Sequence, residues 1–238
     1  MRASFLLGIP LCAAWSLSAI CQVGTVHNRI QGIDIPSIPN APFAAKIAVT
    51  WDEPLAGGGT VSRKYYTMVA RDSQGRVHRE TRGFVRADSN EEPPLRSVTI
   101  LDPVSGTRTV CKQALMTCAQ GAFHPRLELS DPSGALVVSN NNNVSRENLG
   151  QRTMFGLSVT GTHEIDANVA GTHGSSRLAL SQTETWYSAD LHMAMSVIRN
   201  NPQMGQVTLT VTELTRSEPD ASWFAPPSGF EMNSAQSK

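Results

Sequence analysis

Net charge is absent from this 238-residue chain: 20 Lys and Arg offset 20 Asp and Glu. That balance excludes a nucleic-acid binder of the usual basic kind, which needs a cationic face for phosphates. It also excludes a polybasic membrane-surface protein. Long apolar runs are scarce too. The stretch from Phe5 to Ile20 is marginal against the roughly 20 apolar residues of a membrane span. No segment of twelve or more residues shows a clear 3.6-residue period, so little helix is expected. The usual catalytic and ligating patterns are absent. His27, His78, His124, His163, His173 and His192 form neither His-x-x-x-His nor His-x-His, so no metal site is expected. Gly156-Leu157-Ser158-Val159-Thr160 fails the Gly-x-Ser-x-Gly elbow at its last position, and alternation places Ser158 in a strand. There is no phosphate loop and no dinucleotide fingerprint, so no cofactor is expected. The pair Glu91-Glu92 sits in a polar break and reads as solvated. The expectation is a protein that is not an enzyme. A hydrolase whose carboxylates assemble only in space stays open at this stage.

What is present points first to export. Hydrophobic residues make up 40 % of the chain and charged residues 17 %, which excludes a wholly disordered chain. Arg2 is the only charged residue in the first 26, and small residues close the apolar stretch near Cys21. This is the plan of a cleaved secretory signal peptide over residues 1–21. Ser18-Ala19-Ile20-Cys21 departs from a lipoprotein box at Ser18 and at Ile20, which leaves lipidation at Cys21 and an uncleaved N-terminal anchor as the lesser alternatives. Beyond the signal only Cys111 and Cys118 remain, six residues lying between them. In an exported chain such a pair reads as a local disulfide, with two free thiols as the alternative. Neither Cys-x-x-Cys nor added His ligands are there to support redox or metal chemistry. The expected compartment is periplasmic or extracellular.

The rest of the chain reads as strands. Pro36, Pro39 and Pro42 recur every third residue, so residues 22–42 are expected as an extended linker. A single β domain is expected over 43–232 and a disordered tail over 233–238. Ala45, Ile47, Val49 and Trp51 alternate along one strand. Asp72-Ser73-Gln74-Gly75 has the composition of a type I turn. Residues 76–86 return as a strand with at least one wet face. Residues 107–112 and 116–123 form a hairpin with the two cysteines near its tip. Residues 124–148, with four consecutive Asn at 140–143, are expected to be an irregular loop, and strands resume near Gly150. Leu191, Met193, Met195 and Val197 share a face, as do Val207, Leu209 and Val211. The pattern is an antiparallel meander joining sequence neighbours.

The chain ends on Asp220-Ala221-Ser222-Trp223-Phe224-Ala225-Pro226-Pro227-Ser228-Gly229-Phe230, after a Trp-bearing strand at 184–187 and a Thr-rich strand. This order resembles the close of bacterial envelope proteins of the LolA-like and RseB-like lipoprotein-carrier type, with their Asp-x-x-x-Phe and Pro-x-Gly signals. Residues 43–232 also resemble a family of uncharacterised secreted bacterial proteins, through Arg71-Asp72-Ser73-Gln74-Gly75-Arg76 and the Asp102-Pro103 turn. The resemblance implies an all-β fold: a strongly curved antiparallel sheet, an unclosed barrel, with a concave apolar face. It implies a binding module for a hydrophobic ligand such as a lipid or acyl group. The rival expectation is a structural or sensory module that meets an envelope protein through a sheet edge or the Asn-rich loop. Trp186, Met193, Met195, Trp223 and Phe224 are the candidate ligand-face residues, with core packing the first reading of the Met pair and of Trp223. Asp220 is placed to cap a short helical turn, with Trp223 and Phe224 plugging an open end of the sheet.

Overall fold

The structure, a computed structural model, describes residues 32–125, 144–169, 179–202 and 204–233. The signal peptide, Cys21, the first part of the linker, the Asn run at 140–143, the glycine turn near Gly171 and Gly174 and most of the tail lie outside the described residues. The strands are β1 (Phe43–Pro54), β2 (Thr60–Arg71), β3 (Val77–Arg82), β4 (Val85–Arg86), β5 (Leu95–Asp102), β6 (Thr107–Lys112) and β7 (Thr117–Ala122). They continue as β8 (Val144–Met154), β9 (Leu157–Val169), β10 (Ala179–Ser188), β11 (Met193–Asn201), β12 (Gly205–Thr215) and β13 (Glu231–Asn233). All thirteen belong to one curved, unclosed sheet in the order β13-β7-β6-β5-β3-β2-β1-β12-β11-β10-β9-β8, with β4 beside β2.

Two meanders make this sheet, β1 to β7 and β8 to β12. They join where β1 pairs with β12, strands at opposite ends of the sequence. Neighbours in the sheet are sequence neighbours except at that seam, around β4, where β3 pairs with β5 and β4 pairs with β2, and at β13, which runs parallel to β7. The Asp72 turn forms as its composition predicts: the Gly75 N–H donates to the Asp72 carbonyl at 3.0 Å, and Gly75 takes φ of 84°. The return from it is shorter than expected. β3 ends at Arg82, the Gly83 N–H turns aside to the Pro94 carbonyl, and β4 resumes against β2.

Burial changes side along the sheet. Successive strand residues point to opposite faces. In the middle, the row Val49, Leu209, Val197 is buried on one face. That face is filled by the chain itself. Arg71 and Arg79 point to it and donate to the Ala41, Pro36 and Ile33 carbonyls. Residues 33–41 thus lie across it, with Ile33 and Ile35 buried. Residues 22–42 were expected as an extended linker. Their described part has no strand pairing, as three prolines dictate, and it packs against the core through the alternating Ile33 and Ile35. Trp51 and Tyr65 close over Phe84 on the same face, with ring centroids 5.7 and 4.6 Å away. Toward β5–β7 the opposite face is buried instead, under a short helical turn at Ala221–Phe224.

The region expected to be irregular to residue 148 already contains half a strand. β8 begins at Val144, and the Phe155-Gly156 turn folds it onto β9. Nine of its eleven residues are exposed, so it lacks the alternation by which strands are recognised.

Candidate functional site

Among the described residues the sheet ends on two edge strands, the eleven-residue β8 and the three-residue β13. Among the described residues β8 pairs with β9 only. One row of its backbone N–H and C=O groups is left without a strand partner, which is the template for adding another strand. Two features shape that edge. A bulge falls between Asn148 and Gly150, where Gly150 takes φ of 82° and its N–H donates to Asn148 Oδ1 at 2.7 Å. Arg146, Glu147 and Arg152 place charges along it, with Arg146 Nη2 donating to Glu164 Oε2 at 2.6 Å. Leu149 at 36 % and Phe155 at 45 % exposure are apolar and open to solvent. Phe155 also holds φ of 51°, a conformation that bulky residues rarely adopt.

Trp186 braces this edge from behind. It pairs with Ser196 and Gly161, so it lies on the face opposite Val197. Gly161 leaves the room its ring needs: a Cβ there would fall 2.7 Å from the ring and 2.9 Å from the Leu149 Cβ. The Arg152 guanidinium of β8 stacks 3.8 Å from the ring centroid, and the indole N–H donates to Glu184 Oε1 at 2.6 Å. Trp186 therefore couples β8 to β10.

The other residues singled out by the sequence lie elsewhere. Ser196 pairs with Trp186 and Ala194 with Tyr187, so Met195 is the extra residue of a bulge. Met193 and Met195 are both fully buried. Cys111 and Cys118 are direct cross-strand partners on β6 and β7 and form the disulfide. Phe224 packs in one cluster with them and with Ala70, Val98 and Ile100, while Trp223 and Phe230 flank it. Asp220 caps the turn as expected, its side chain accepting from the Ser222 N–H at 2.8 Å. Four strands, β2, β1, β12 and β11, separate Trp186 on β10 from Trp223 over β3, so the five candidates do not form one surface.

Solved structures resemble it. MucB is 10 % identical with a TM-score of 0.39, over 82 % of this chain and 60 % of MucB. In the MucA/MucB complex of Pseudomonas aeruginosa the match is 11 % identical at a TM-score of 0.43, over 80 % of this chain and 57 % of that one. The LolA superfamily protein NE2245 from Nitrosomonas europaea is 8 % identical at 0.31, over 79 % of this chain and 91 % of its own. The chain spans about three fifths of the MucB length. No protein-family model matches the chain, and no curated protein does.

Two buried groups escaped the sequence reading. Arg71 is fully buried and donates to three carbonyls: Pro36 at 3.0 Å, Ala41 at 2.9 Å and Leu191 at 2.8 Å. Burial lowers its pKa to about 10, so it stays cationic at neutral pH. His78 is buried beside Trp223, with Nδ1 2.7 Å from the Trp223 carbonyl; Nδ1 carries the hydrogen and donates. Burial pulls the His78 pKa below 6.5, against the opposing effects of this bond and of Glu80. Each flanks the Asp72 turn: Arg71 opens the segment that carries the resemblance to secreted bacterial proteins, and His78 lies in the return strand whose charges suggested a wet face. Among the described residues, no three His, Cys, Asp or Glu side chains are grouped to hold a metal ion. A depression of about 560 Å³ at the other end of β1 is open, and its lining is polar, with Asp52, Ser62, Asn200 and Gln206.

Proposed function

We propose that this chain is a non-enzymatic exported module that binds an envelope protein by pairing β8 with a strand of that partner. One observation carries the reading: among the described residues β8 is long, exposed and paired on one side. Main-chain bonds would supply affinity, and the bulge with Arg146, Glu147 and Arg152 would select the partner strand, since these same features discourage indiscriminate pairing. Export is supported by the signal-like N-terminus and by a disulfide that suits an oxidising compartment. The apolar face that would hold an acyl chain is occupied by Ile33, Ile35, Trp51 and Phe84, which favours a protein partner over a lipid.

The test uses the processed, exported chain. A photo-crosslinking residue at Glu147 or Gln151 should give one discrete protein adduct, and the same residue at Thr212 on β12 should not. Equal labelling at all three positions would reject the β8 reading. Native mass spectrometry should show the purified protein without copurified lipid; a stoichiometric acyl ligand would restore the carrier reading instead.

A further inference from the structure

We propose that the Cys111–Cys118 disulfide is a thiol-exchange site gated by residues 216–233: a dithiol reaches it only after Phe224 lifts away, and reduction in turn loosens that segment. This inference is independent of the β8 reading.

The geometry separates a rigid platform from a removable cover. The platform is the sheet itself, with both cysteines fully buried between Val98, Ile100 and Ala70. The cover is the chain after β12. Most of its residues are exposed, and Phe224 is its one buried side chain. Its ties are separable: the Arg76 guanidinium lies 4.8 Å from the Phe224 ring centroid and the His78 ring 5.0 Å from that of Trp223. The Glu231 N–H donates to the Met116 carbonyl at 2.9 Å, the Trp223 carbonyl accepts from His78 at 2.7 Å, and Glu218 accepts from the Ser73 N–H at 3.1 Å. β13 pairs with β7 over three residues, Met232 lying opposite Cys118. A segment with so little buried area opens locally at less cost than the whole domain unfolds.

Exchange needs a thiolate to approach one sulfur along the disulfide axis, so access controls the rate. A dithiol in its thiolate form attacks one Cys Sγ. The other Cys leaves as a thiolate and takes up a proton. The second dithiol sulfur then displaces the first Cys, and the reagent closes its own ring. Two electrons pass from the dithiol to the protein, which ends with two thiols. Two unbonded sulfurs need more separation than a bonded pair, and Phe224 sits above them in a close-packed cluster. The reduced platform therefore fits the cover less well. Linkage makes the effect reciprocal: the factor by which oxidation tightens the cover is the factor by which the closed cover resists reduction.

The experiment is performed on the full exported chain with dithiothreitol, followed by alkylation and mass spectrometry. Phe224→Ala should be reduced at least 10-fold faster than the parent, under conditions where global unfolding, measured separately, is slower than reduction. Hydrogen exchange of the Ala225 and Glu231 amides in the unsubstituted protein should speed up about 10-fold on reduction. Equal reduction rates for parent and variant, or a parent rate equal to its unfolding rate, would overturn the gate. Unchanged exchange at both amides would overturn it as well, and that measurement decides alone if Phe224→Ala does not fold.

Discussion

Arg71 Nη2 donates to the Leu191 carbonyl at 2.8 Å, tying β2 to the turn before β11 across 120 residues of sequence. The same guanidinium holds Pro36 and Ala41 and lies 5.0 Å from the Phe43 ring centroid. One cation thus closes the lead-in, the first meander and the second meander around one core. Replacing it leaves three carbonyls without their donor. Arg71→Met should cost about 3 kcal/mol, the range of a broken buried polar network. Urea unfolding checks this: the midpoint should fall with the slope unchanged. A loss below about 0.5 kcal/mol would mean that water replaces the guanidinium.

His78 makes stability depend on pH. Its folded pKa lies below the 6.5 of the unfolded chain because burial disfavours the imidazolium. Between those two values the unfolded chain binds more protons, so stability is complete above pH 6.5 and declines as pH falls below it. His78→Asn keeps an N–H near the Trp223 carbonyl and removes the titration. Unfolding midpoints between pH 7.5 and 5.5 should decline for the parent and stay flatter for the variant. Parallel curves would place the acid sensitivity elsewhere.

Gly161 is fixed by the Trp186 ring, not by its own backbone angles. A Cβ 2.7 Å from the ring forces Trp186 and Leu149 outward. Gly161→Ala should cost about 1–3 kcal/mol, as overpacking does. Displacing the ring from Arg152 should also raise hydrogen exchange along β8. Normal stability with unchanged exchange would show that the indole has room to shift.

The disulfide closes a short loop between cross-strand partners. Replacing both cysteines by Ala, which buries no new hydroxyl, should destabilise the domain by about 2.5 kcal/mol from loop entropy. Thermal unfolding measures it, and the variant should retain its partner adduct at β8. Losing that adduct while staying folded would link the disulfide end of the sheet to the binding edge.

Local patterns carried much of the fold. The alternation of Ala45, Ile47, Val49 and Trp51 specified a half-buried strand, and all four are buried. Asp72 and Gly75 specified their turn because Gly supplies the positive φ. The spacing of Cys111 and Cys118 specified a local bridge, and Asp220 specified a cap. β8 was illegible for a physical reason: an edge strand with both faces wet needs no apolar alternation, so Val144 to Asn148 reads as loop. The candidate site suffered most from this, since the exposed edge is what the pattern conceals.

The alternating strands, the Asp72 turn, the Asp220 cap and the disulfide follow from residue order alone, because each rests on a pattern of neighbours within a few residues; β8 and β13, which lack such a pattern, do not. Tertiary structure decided which strands meet and which face is covered. The β1–β12 seam, Arg71 with Leu191, and Phe224 over Cys118 all join residues more than 100 positions apart. Strand alternation has a period of two and distinguishes two faces without saying which is inside. That choice falls to whatever packs on top: residues 33–41 on one face and the Trp223-Phe224 turn on the other.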